Sequence, residues 1–126
     1  MYGIKKQVNL SYDEAVEKAR QELQKEGFGV LTEIDVKAIL KKKLDVDFDK
    51  YIILGACNPS FAYKALQAEQ DIGLMLPCNV IVYEKDGKVN VSVILPTVAM
   101  QMIENEKLTD IAKEIEEKLK KVIDNI

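Results

Sequence analysis

Apolar positions along the chain switch between a period near two and a period near 3.6, and the switches mark its elements. Residues 2–9 read as a strand leading into a helix. Ser11-Tyr12-Asp13-Glu14 has the form of a capping box, with Ser11 as N-cap and Glu14 reaching back. Tyr12, Ala15, Val16, Ala19 and Leu23 then recur at helical spacing, and Gly27 supplies a left-handed end. Val30 to Val36 alternates loosely and predicts a second strand, followed by a short helix at about 37–44 that starts near Asp35 or Val36. Tyr51-Ile52-Ile53-Leu54 is a third strand ending at Gly55. Asn58 and Pro59 then suit the N-cap and first turn of a helix over 59–69. Asp71 to Pro77 returns the chain to a strand at 79–83, and Asp86-Gly87 turns it into a hairpin with 89–95. Leu108, Ile111, Ala112, Ile115, Leu119, Val122 and Ile123 fall on one face of a closing helix over 107–124.

The order is β-α-β-(α)-β-(α)-β-β-α. A hairpin followed by one closing helix favours an α+β fold, with a mainly antiparallel sheet of five strands and helices gathered on one face. A doubly wound parallel sheet is the competing architecture. The choice decides the geometry of the two cysteines, Cys57 and Cys78. Antiparallel neighbours bring the end of the third strand beside the start of the fourth, so the thiols can meet. Parallel neighbours put them about 15–20 Å apart.

With 126 residues the chain fits a single domain, 1–126, able to bury a core of its own. Apolar residues make up 48% and charged residues 31%, and no apolar run is long enough to span a bilayer. The N-terminus lacks the apolar stretch of a secretory signal, so a cytoplasmic protein with reduced thiols is expected. A net charge of −3 and a pI near 5.1 argue against a nucleic-acid partner. The basic run Lys41-Lys42-Lys43 is answered by Asp45, Asp47 and Asp49. Histidine is absent, which removes Ser-His-Asp and Cys-His catalysis and histidine metal sites.

The chemistry that remains centres on Gly55-Ala56-Cys57-Asn58-Pro59 and Leu76-Pro77-Cys78-Asn79. Cys57 precedes a helix N-terminus, where the macrodipole lowers a thiol pKa; otherwise it is a small core residue closing a strand. Cys78 follows Pro77 at the mouth of a strand and is likewise either a reactive thiol or a small core residue. As a pair they allow a disulfide worth about 3 kcal/mol, a redox dithiol, or a metal site completed by Glu69 or, for soft copper(I), by Met75 or Met100. Asn58 and Asn79 would cap and satisfy turn backbone, or present amides to an anion or small polar ligand. Glu33, Asp35, Lys37 and Lys43 form a charged patch in which Glu33-Lys43 or Asp35-Lys37 would be the acid-base pair, although such surface pairs usually contribute little.

Thr32-Glu33-Ile34-Asp35-Val36-Lys37, Tyr51 through Pro59, Ala65-Leu66-Gln67-Ala68-Glu69 and Leu76 through Val82 resemble the family known as domain of unknown function 302. The resemblance covers about 28–84. It implies a compact α+β domain similar to the TATA-box-binding-protein fold, with a β-α-β₄-α plan, and a homodimer. It implies no activity, and the namesake's role in nucleic-acid binding does not transfer with the fold.

Three functions follow as expectations. The first is a non-catalytic binding or sensing domain, its small-molecule or metal site where 55–60 and 76–79 converge. The second is an enzyme using Cys57 as a redox or nucleophilic thiol, with Cys78 as its partner. The third is a structural dimer whose interface includes an exposed apolar face of the 107–124 helix.

Overall fold

The capping box forms as its residues predict. Ser11 Oγ accepts the Glu14 N–H at 3.1 Å, and Glu14 Oε1 accepts the Ser11 N–H at 3.0 Å. The computed structural model describes the whole chain, Met1–Ile126. Its elements are β1 (Gly3–Val8), α1 (Tyr12–Lys25), β2 (Gly29–Asp35), α2 (Val36–Leu44), β3 (Tyr51–Cys57) and α3 (Pro59–Ala68). A 3₁₀ segment (Gln70–Met75) follows, then β4 (Cys78–Lys85), β5 (Lys88–Ile94), α4 (Pro96–Ala99) and α5 (Glu106–Asp124).

The five strands form one antiparallel sheet in the order β1-β5-β4-β3-β2, which sets aside the parallel alternative. Asp86 and Gly87 take positive φ values of 53° and 75°, as a tight hairpin turn requires. Alternation sends Ile52, Leu54 and Ala56 of β3, Cys78, Val80 and Val82 of β4, and Val89, Val91 and Val93 of β5 to one face. There they meet Ala15, Ala19 and Leu23 of α1 and Ile115, Leu119, Val122 and Ile123 of α5. Each fully buried Leu, Ile or Val contributes about 1.5–3 kcal/mol. A second, smaller core joins Ala65, Ile72, Met100, Leu108 and Ala112 beneath α3, the 3₁₀ segment and α4.

The stripe on α5 is thus consumed by both cores. Leu108, Ala112, Ile115, Leu119, Val122 and Ile123 are all buried within the single chain. The expectation that this helix leaves an apolar face free for a dimer is therefore corrected.

Two further corrections shape the candidate site. β3 runs beyond the expected end at Gly55 to Cys57, and β4 begins at Cys78 and not at 79, so the cysteines are the last and first residues of neighbouring strands. Gly55 stays inside the strand because its missing side chain is needed. A Cβ there would run into Thr32 Oγ1 and lie 2.8 Å from Pro77 Cγ. The chain also adds the 3₁₀ segment and α4, which the pattern of residues does not announce; α4 has only one turn, too short for helical periodicity to register.

Candidate functional site

The β3–β4 register fixes the relation between the cysteines. Ala56 lies directly opposite Cys78, so Cys57 and Cys78 are adjacent but one residue out of step. A one-residue offset sends side chains to opposite faces of a sheet. Cys78 accordingly joins the core at 8% exposure, while Cys57 is half-buried on the other side. Both are free thiols. The opposed directions leave the pair without the facing Cβ vectors that a disulfide needs.

Electrostatics oppose thiolate chemistry at both positions. Burial pushes the Cys57 thiol up, against the lowering expected from the α3 macrodipole. The helix end is outweighed because the sulfur gives up hydration without gaining a cationic or hydrogen-bonding partner. Burial pushes Cys78 further, to about 11, with the neighbouring Cys57 adding to the rise. Folding therefore favours the neutral Cys78 thiol. Its contribution is constant below the ordinary value near 9 and is lost progressively as the pH climbs from 9 toward 11. Urea unfolding at pH 8 and 10.5 should show the wild type losing about 2 kcal/mol more than Cys78→Ala, which lacks this slope. Equal losses would mean that the thiol is well solvated.

Asn58 occupies the N-cap position of α3, but its side chain makes no bond to that helix. Its Nδ2 instead donates to the Glu26 carbonyl at 3.4 Å, at the end of α1. Gly27, at φ 84°, makes room for the amide; a Cβ there would sit 3.1 Å from Nδ2. The capping expectation is thus replaced by a cross-link satisfying one of the orphan carbonyls of α1. Asn58→Ala should cost about 1 kcal/mol in chemical denaturation, with amide exchange rising at 25–28 before it rises in α3. A loss confined to α3 would restore the capping role.

The remaining candidates disperse. Glu69 Oε1 accepts from Asn105 Nδ2 at 3.5 Å, at the junction of α3 and α5. No three Cys, Asp or Glu side chains gather closely enough to hold a metal ion, so Cys57, Cys78 and Glu69 do not form a set. Glu33 pairs with Arg20 at 2.8 Å. Asp35 caps α2 by accepting the Ala38 N–H at 3.0 Å, and Lys37 Nζ donates to the Phe48 carbonyl at 2.6 Å. Lys43 stands exposed at the end of α2. Neither the Glu33-Lys43 nor the Asp35-Lys37 pair forms: Glu33 is taken by Arg20, Asp35 and Lys37 serve backbone, and Lys43 stays exposed. Nearby Tyr12 is pushed to about 12, by burial and then by the charges of Asp35, Asp13 and Glu33, so it stays protonated.

Two cavities meet at Cys78. An uncharged groove of about 280 Å³ opens where β4 begins, lined by ten residues including Met75, Cys78, Asn79, Ile94, Pro96 and Met100. Behind it lies an apolar void of about 20 Å³, bordered by Phe28, Phe61 and both cysteines and large enough for one water-sized atom. Leu76, Pro77, Cys78 and Met100 border both spaces. Pro96 and Ala99 escape sequence reasoning because they enter the groove through α4, and Ile94 because it enters at the end of β5. Larger depressions exist, but they differ in kind. That of about 640 Å³ beside β1 is lined by Lys6, Glu14, Glu17 and Lys18, and that of about 320 Å³ beside α2 by Asp35, Lys37, Lys41 and Asp47. Their charges largely answer one another or nearby backbone, so volume alone does not make them binding sites.

The sheet face away from the helices carries a second surface. Register aligns Ile34, Ile53, Ile81, Ser92 and Lys5 in one row, and Tyr51, Tyr83, Asn90 and Gln7 in the next. The Tyr51 and Tyr83 rings stack at 5.4 Å, and Phe48 lies 6.2 Å from Tyr51. Lys5 is the sole charge in those two rows. No helix is long and apolar enough to cross a membrane.

Comparison with known proteins agrees with this architecture. Among solved structures, the crystal structure of an uncharacterized conserved protein DUF302 from Bacillus stearothermophilus is similar, with a TM-score of 0.93 and 32% identity. The alignment covers 99% of this chain and 98% of that one. No curated protein matches. The family model described as domain of unknown function DUF302 matches residues 4–126, and the chain belongs to that family.

Proposed function

We propose that this chain is a non-catalytic binding domain whose ligand sits in the uncharged groove at the start of β4. The observation that carries the reading is the groove's lining: ten residues without one charge, in a chain 31% charged. An apolar wall with one exposed amide, Asn79, is the usual recipe for holding a compact ligand in a fixed orientation. The raised thiol pKa values and scattered carboxylates supply no activated nucleophile or acid-base pair, which supports binding over catalysis. Small uncharged fragments screened by amide chemical-shift mapping should perturb 74–79 and 94–100 together. Shifts scattered over the surface, or centred on the charged depressions, would refute the site.

A second reading, compatible with the first, is that the domain pairs with a copy of itself through its bare sheet face. The Ile34-Ile53-Ile81 row and the stacked tyrosines favour it, since interface centres are poor in charge and rich in aromatic residues. Five strands of about six residues present roughly 400 Å². Exposed Leu31, Val46 and Phe48 beside them extend the patch toward the roughly 800 Å² per partner of a stable interface. A single lysine in those rows gives no surface for phosphate, which supports leaving nucleic acid out.

A further inference from the structure

Sulfur is distributed unevenly in this protein. Of its two cysteines and four methionines, Cys57, Cys78, Met75 and Met100 border the groove or the void behind it, while Met1 and Met102 are exposed. Within the groove itself, Met75, Cys78 and Met100 share the lining with no carboxylate, no amine and no imidazole. We infer that the groove binds a thiophilic monovalent cation, copper(I), through the Cys78 thiolate supported by the Met75 and Met100 thioethers; the inference rests on the groove being the ligand site.

Donor chemistry selects this ion over others. Thiolate and thioether sulfur favour copper(I), whereas calcium and magnesium need several oxygens, and zinc prefers four thiolate, imidazole or carboxylate ligands. Charge selects it again. One thiolate and one monovalent cation sum to zero, so the occupied groove stays neutral among apolar walls; a divalent ion would leave a buried positive charge. Binding replaces the thiol proton: Cys78 S–H and Cu⁺ give the S–Cu bond, and the proton leaves to solvent. No oxidation-state change is involved. Cys57 borders the void but not the groove, and is not a ligand.

The test is an anaerobic copper(I) titration of the whole chain against the chromophoric chelator bicinchoninate, with folding of each variant checked by circular dichroism. Wild type should retain one copper per chain, bound about tenfold more tightly for each unit that pH rises between 6.5 and 7.5. Cys78→Ser should weaken binding by about 100-fold, and Met75→Leu and Met100→Leu each by about tenfold. Cys57→Ser should stay within about twofold, and zinc should not displace the copper. Failure to retain copper against the chelator would overturn the inference, as would an equal loss in Cys57→Ser, which would indicate a two-thiolate site. If copper is refused while uncharged fragments still shift the groove amides, the binding-domain reading survives and the metal does not. If both fail, both fall.

Discussion

Gly55→Ala should lower folding stability by about 3 kcal/mol, a large effect for adding one methyl group. The added Cβ points to the bare face of the sheet, where Thr32 Oγ1 and Pro77 Cγ close over the glycine from the two flanking strands. The threonine hydroxyl can rotate away, but the proline ring, 2.8 Å from the new atom, is fixed by the backbone entering β4. Relief must then come from moving strands in the middle of the sheet. A double-mutant cycle separates the two collisions. Thr32 is exposed, so Thr32→Ala alone should cost little, and in the Gly55→Ala background it should restore about 1 kcal/mol, leaving the proline's share. Urea unfolding of the four proteins provides the comparison. Near-wild-type stability for Gly55→Ala would show that the strands close over Gly55 more loosely than this packing requires.

Ile53→Lys should convert a homodimer into monomers, weakening association by about 100-fold or more while leaving the fold intact. Ile53 sits between Ile34 and Ile81 at the centre of the bare-face row. In an isologous pair each substitution is present twice, and both lysines would be desolvated without partners. In the monomer the same side chain reaches water, so circular dichroism and thermal unfolding at low concentration should change little. Sedimentation velocity across micromolar concentrations reads the outcome. A wild type that sediments as a monomer, or a variant that remains a dimer, would remove the bare face as an interface.

Most elements were legible in the sequence because their signals are local. Ser11 with Glu14, Asp86 with Gly87, and the apolar stripe of α5 specify their elements within a few residues of themselves. The antiparallel sheet followed from a hairpin succeeded by a single closing helix. The candidate site was legible only as two segments, 55–60 and 76–79, and not in its geometry. Whether Cys57 and Cys78 share a face depends on a one-residue register between β3 and β4, and the sheet carries an irregularity between Val30 and Thr32 next door. No residue type announces such an offset. Asn58 shows a different limit: an asparagine before proline reads as a cap, but the end of α1, distant in sequence, competes for its amide through Gly27. The groove was missed in part because Ile94, Pro96 and Ala99 have no chemistry of their own. Pro96 and Ala99 matter only once the one-turn α4 folds them beside Cys78, and Ile94 only once β5 pairs with β4.

The groove's claim to be a binding site is tested most directly by filling it. Ala99 lines the groove, is partly exposed and is distant in chemistry from the sulfurs, so Ala99→Leu should occupy the space while the domain still folds. Native mass spectrometry of anaerobically purified wild type and Ala99→Leu, after exposure to one fragment that shifts the groove amides, gives the comparison. The predicted result is one bound ligand per wild-type chain and none on the filled variant. Equal binding to both proteins, or to neither, would contradict the assignment.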